Sequence, residues 1–136
     1  MPLPCKSRRG AMPDRERVLD FIACVKAGKF VEAIERFYTG DATMQENAHP
    51  PRGGRDALAK SERKVLETSR IVTREADWFL VDGDRSVVNW VFEITGPDGK
   101  TRVMNEMACQ DWQGDLIHRE RFYYDPASVT EAGEKP

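Results

Sequence analysis

The chain has 136 residues, 32% of them charged, with 21 Lys and Arg against 23 Asp and Glu and a formal net charge of −2. That length supports one domain with a real core, and the near-even charge argues against a nucleic-acid binder, which shows a basic stripe. No apolar run approaches the roughly 20 residues needed to span a membrane. No apolar stretch follows Lys6, Arg8 and Arg9 to complete a signal peptide. The three cysteines, Cys5, Cys24 and Cys109, are widely spaced and contain no Cys-x-x-Cys, so neither a zinc knuckle nor a disulfide framework is expected. A reducing, cytoplasmic setting fits, with Cys24 and Cys109 as small buried hydrophobes.

In chain order, residues 1–13 read as a disordered arm, 14–127 as the domain and 128–136 as a flexible tail. Asp14 is a good N-cap, and Val18, Phe21, Ile22 and Val25 recur at the spacing of one helical face. Gly28 ends that helix. A second helix is predicted from Phe30 to Tyr38, stopped by Gly40 and Asp41. Thr43 to Glu46 reads as a short strand, and Pro50, Pro51, Gly53 and Gly54 as a bend. A third helix starts near Asp56 and presents Leu58, Val65 and Leu66. The period then changes. Residues 71–81, 86–95, 101–112 and 116–124 are strand-like and rich in Val, Ile, Trp and Phe, separated by turns at Asp82-Gly83-Asp84, Pro97-Asp98-Gly99 and Gln113-Gly114-Asp115. Helices followed by a long antiparallel meander predict an α+β domain. A sheet of four long strands curling over three helices leaves a cleft where ligand sites are expected.

Within that layout Glu46 is the leading catalytic candidate. It sits beside apolar neighbours where the chain turns. Loss of hydration there raises a carboxyl pKa and suits general acid or base work; a solvated strand-end glutamate is the other reading. His49 lies in the bend and reads as a solvated loop histidine. Two distant histidines and scattered carboxylates make a poor metal site, so no metal and no cofactor are expected.

Three stretches carry a family resemblance: Phe37-Tyr38-Thr39-Gly40-Asp41-Ala42-Thr43, Gly54-Arg55-Asp56-Ala57-Leu58, and Glu120-Arg121-Phe122-Tyr123-Tyr124-Asp125-Pro126. In that order and spacing the chain resembles the nuclear transport factor 2-like superfamily, and within it the SnoaL-like proteins. The resemblance implies three N-terminal helices packed in the concave face of a curved, mainly antiparallel sheet, a cone-shaped α+β barrel. It aligns Glu46 with the general base of ketosteroid isomerases. It also puts Phe21 and Ala108 where their oxyanion-hole tyrosine and aspartic acid would stand, and Trp90, Phe92 and Phe122 near the charged positions of the epoxide hydrolase pattern. Neither chemistry is therefore implied in its usual form.

Strand alternation on this scaffold turns Met44, Trp90, Phe92, Met104, Glu106, Ala108, Gln110, Trp112, His118, Glu120, Phe122 and Tyr124 toward the cavity with Glu46. Asn89, Glu93, Asn105, Arg119 and Arg121 fall on the outer face, where a dimer partner often packs in this fold. From these come the expected ligand-binding residues Phe21, Met44, Trp90, Phe92, Glu106, Gln110, His118, Glu120, Phe122 and Tyr124. Glu106 and Glu120 can share a proton or pair with His118 or an arginine; a pairing that only satisfies buried charge is the other reading. His118 and the aromatic residues fit a core role as well as a ligand role. The expected function is a pocket protein acting on a small lipophilic or cyclic molecule by cofactor-free isomerisation, dehydration, cyclisation or hydrolysis. A non-catalytic binder of a small hydrophobic ligand and a dimeric interaction module remain as alternatives. The expected partners are that ligand and a second copy of the chain through the outer sheet face, with no nucleic acid and no membrane.

Overall fold

Val18, Phe21, Ile22 and Val25 are all buried along one side of helix α1 (Arg15–Lys26), so the helical spacing of apolar residues does define the face that packs. The computed structural model describes residues 12–74 and 76–131. Most of the expected arm, and the tail from residue 132, lie outside them. Asp14 occupies the N-cap of α1 but makes no side-chain capping bond. Helix α2 (Phe30–Phe37) buries Ala33, Ile34 and Phe37. Helix α3 (Arg55–Thr68) buries Leu58 and Ala59. Among the described residues no helix is long and apolar enough to cross a membrane.

The strands are β1 (Tyr38–Glu46), β2 (Arg52–Gly53), β3 (Arg70–Thr73), β4 (Phe79–Asp82), β5 (Arg85–Thr95), β6 (Thr101–Gln113), β7 (Leu116–Tyr123) and β8 (Thr130–Glu131). They form one curved, unclosed sheet in the order β2-β1-β7-β6-β5-β3, with β4 also on β5 and β8 on β6. Only the β1–β7 pairing is parallel among the described strands. The three helices cover the concave face. Between them Phe21 meets Phe37, Tyr38 and Trp112 edge-on at ring-centroid distances of 5.5, 6.1 and 6.1 Å.

Three boundaries differ from the sequence expectation. Tyr38 is not the end of a helix: α2 stops at Phe37 and β1 begins at once, because pairing with Ile117 overrides the local helical pattern. The stretch 71–81 is two strands. Its ladder to β5 lapses between Arg74, whose N–H reaches Val91, and Trp78, whose carbonyl accepts from Asn89; Ala76 and Asp77 are poor strand formers. The tail is partly pinned: a 3-10 turn at Pro126–Ser128 leads into β8, whose Thr130 and Glu131 pair with Val103 and Arg102.

Candidate active-site cavity

The space between the helices and the concave sheet face is a cavity of about 320 Å³, at the small end for ligand sites. Its apolar wall comes from Phe21 and Val25 of α1, Phe30, Ala33 and Ile34 of α2, and Trp90, Phe92, Ile94, Met104 and Phe122 of the sheet. Trp90 and Phe92 stack with centroids 5.8 Å apart, and Phe30 stands edge-on to Phe92 at 6.1 Å. The remaining wall is acidic: Glu46, Glu62, Glu106 and Glu120 all line it, with Arg52 as the one cation among its described lining residues.

Strand register explains the polar side. Met44, Glu120, Gln110 and Ser86 are successive cross-strand partners on β1, β7, β6 and β5, so their side chains stand in one inward-facing row. From Ser86 to Glu120 the row is joined by hydrogen bonds. Trp112 Nε1 donates to Ser86 Oγ at 2.8 Å, Ser86 Oγ to Gln110 Oε1 at 2.6 Å, and Gln110 Nε2 to Glu120 Oε2 at 2.7 Å. Tyr38 donates its hydroxyl to the other oxygen of Glu120. Glu120, 2% exposed, is therefore held on both sides. The next inward row is Glu46, Phe122, Ala108 and Val88, and Glu106 follows one step further along β6, opposite Trp90.

Glu106 is different. It is only 6% exposed, it lines the cavity, and among the described residues its carboxyl has no hydrogen-bond partner. Burial first, then the charges of Glu120 and Glu46, push its pKa from 4.5 up to about 8. Burial lifts Glu120 to about 7, against the lowering effect of the Tyr38 and Gln110 hydrogen bonds. Burial and Glu120 in turn hold the Tyr38 hydroxyl protonated well above its ordinary range. Glu62 is also raised by burial, with Arg52 opposing and Glu46 adding to the shift. Glu46 lies at the mouth with 47% of its side chain exposed; Arg52 is 4.0 Å away, and the Tyr124 hydroxyl donates to it at 3.2 Å. Asn47, at φ 50, ends β1; its N–H donates to Phe122 O at 2.8 Å and its side chain accepts from Tyr124 N at 3.0 Å, which fixes Glu46 against β7.

Eight of the residues picked from the sequence line the cavity together: Phe21, Met44, Glu46, Trp90, Phe92, Glu106, Glu120 and Phe122. Three stand apart from its lining. Gln110 is 1% exposed and turned to Glu120 and Ser86. Tyr124 is outside the lining, its hydroxyl donating to Glu46 at the mouth. His118 is displaced by a β-bulge: Trp112 pairs with Ile117 and Asp111 with Arg119, leaving His118 as the extra residue. Simple alternation therefore fails across it. Ile117 takes the inward place, and His118 Nδ1 is enclosed with no partner among the described residues. Sequence reasoning missed Tyr38, read as helical, and Glu62. Glu62 was legible: it lies four residues after Leu58 and four before Leu66, on the face taken to be core. Among the described residues no group of three or more His, Cys, Asp or Glu side chains is placed to hold a metal ion.

Comparison with known proteins gives one family match, the SnoaL-like domain, over residues 18–120. No curated protein matches the chain. Solved structures do. A Mesorhizobium loti protein provisionally described as a SnoaL-like polyketide cyclase is 23% identical, with a TM-score of 0.69 over 80% of this chain and 97% of its own. An NTF2-like protein of Burkholderia xenovorans LB400 is 19% identical, with a TM-score of 0.67 over 83% and 89%. An LEH-like epoxide hydrolase of M. tuberculosis is 10% identical, with a TM-score of 0.71 over 84% of each chain. At these identities the likeness is one of fold.

Proposed function

We propose, from the premise that this chain belongs to the SnoaL-like domain family, that it is a cofactor-free enzyme moving a proton on a small, largely apolar molecule. The observation that carries this reading is Glu106, a buried acid without a partner that faces an apolar cavity. A carboxyl left unsatisfied in a cleft costs stability, and such cost is characteristic of a site that a ligand completes. Glu106 meets the polar atom of the bound molecule. Glu46, nearer the mouth and free to exchange protons with water, takes the proton from it or returns it. Glu120 stays fixed by Tyr38 and Gln110 and sets the charge that Glu106 feels. Isomerisation, dehydration, cyclisation and hydrolysis all fit a carboxyl pair of this kind. Polyketide cyclase and epoxide hydrolase names among the structural neighbours agree with the general class.

The test is a substrate screen followed by two variants. Glu46→Gln is expected to lower turnover by about 10²-fold or more with ligand affinity retained, and Glu106→Gln to lower both. Unchanged turnover in Glu46→Gln would overturn the assignment of that residue. The half-exposed position of Glu46 favours a second reading, a non-catalytic binder of a small hydrophobic ligand. It predicts saturable binding without product from any ligand that enters. We further propose that two copies pair through the outer sheet face, where Leu80, Met107 and Tyr123 are exposed.

A further inference from the structure

We infer that the molecule this cavity takes is a lipophilic amine, bound as its ammonium ion, with the charge against Glu106 and the hydrocarbon part against the helices. The inference rests on the cavity being the working site, and it does not require turnover.

Charge is the first argument. Glu106, Glu120 and Glu46 come from three strands and Glu62 from α3, and they act on one another electrostatically. The groups facing them are Arg52 of β2 and the hydroxyls of Tyr38 and Tyr124. Arg52 is spent at the mouth, 4.0 Å from Glu46, with about half of its side chain in solvent. Among the described residues the deep end therefore has acids and no cation. Where these acids are ionised, a carboxylate or phosphate ligand meets repulsion there, whereas a positive charge relieves the cost of desolvated carboxylates.

The second argument is the unpartnered side chain. Glu120 has its two neutral donors, but Glu106, 6% exposed and aimed into the cavity, has none among the described residues. An ammonium group supplies up to three N–H donors. The third is the surface beside it. Trp90 is the cross-strand partner of Glu106, and its ring stacks with Phe92. Aromatic rings attract alkylammonium ions, and both Trp90 and Phe92 line the cavity with Glu106.

The proton balance makes the inference testable. Burial sets proton release by Glu120 and Glu106 near pH 7 and 8. An ammonium ion favours their ionised forms, so binding lowers both pKa values and releases protons, and affinity rises with pH across that window. Three probes of one shape separate the ligand classes: cyclohexylmethylamine, cyclohexylmethanol and cyclohexanecarboxylate, titrated calorimetrically into the full chain at pH 6, 7 and 8.5 in two buffers of different ionisation enthalpy. The amine is expected to bind at least about tenfold more tightly than the alcohol at pH 8.5, with the carboxylate weakest. Its affinity is expected to increase with pH and protons to be released. Glu106→Gln is expected to remove the preference for the amine over the alcohol. An alcohol or carboxylate binding as well as the amine overturns the inference, as does an amine that fails to saturate, an affinity that falls with pH, or a full amine preference in Glu106→Gln. The wild-type pH series stands alone if that variant does not fold. Loss or survival of turnover in Glu46→Gln leaves this ranking untouched, so the two proposals fail separately.

Discussion

Glu106 and Glu120 make the stability of this protein depend on pH in an unusual direction. Their folded-state values, about 8 and about 7, lie above the ordinary 4.5, so between those limits the folded chain holds protons that the unfolded chain has lost. Their contribution is fully present below about pH 4.5 and is lost as pH rises toward 8. Thermal melting is therefore expected to fall between pH 5 and pH 8, and to fall less in Glu106→Gln. A pH dependence identical in the two proteins would place Glu106 in water. Tyr38→Phe removes a donor from a buried carboxyl and is expected to cost about 1–3 kcal/mol, more at pH 8 than at pH 5, read as a shift in urea midpoint. Much of this chemistry was legible. Alternation on β6 and β7 put Glu106 and Glu120 on the inner face, and burial made them the perturbed pair. Tyr38 was hidden because its neighbours Ile34 and Phe37 continue a helical pattern up to the residue where the chain becomes a strand.

At the scale of elements, turn chemistry and periodicity located the helices and the long meander, but two local devices escaped. The first is the bulge at His118, which reverses facing between Ile117 and Glu120; nothing in an alternating string marks where one residue is left out of the ladder. The second is how α3 is launched. Gly54 sits at φ 95 as the N-cap of α3 and donates its N–H to Ala42 O at 2.8 Å, tying the helix start to β1. A Cβ would find space there, its nearest neighbour being Ala57 Cβ at 3.8 Å, so the demand is on backbone angle and not on volume. Gly54→Ala is expected to destabilise the fold by about 1–2 kcal/mol, measured by thermal or chemical denaturation. Because α3 carries Glu62 and Val65 into the cavity wall, the same change is expected to weaken ligand binding.

For the whole molecule, the inner sheet face is committed to the helices and cavity, and the outer face is left to solvent. Cross-strand pairing sets Leu80, Val87 and Cys109 in one outer row and Asn89, Met107 and Tyr123 in the next. Leu80 is 63% exposed, Met107 42% and Tyr123 45%. Exposed large apolar side chains on one sheet face suit a contact surface. If two copies pair there, sedimentation of the wild type is expected to report a dimer and that of Met107→Glu a monomer with an unchanged fold; a monomeric wild type overturns the proposal. The sequence made this architecture readable because the period of its apolar residues changes from helical to alternating between the two halves. Position on the fold then divides the labour. Most of the acids stand on strands β1, β6 and β7, locked in register, while much of the apolar wall is borrowed from α1 and α2. Divergence can act on these two parts one at a time: replacing Val25 or Ile34 reshapes the space a molecule must fill while the hydrogen-bonded row at Glu120 stays in place. A scaffold divided in this way lets lineages change what they accept before they change what they do to it.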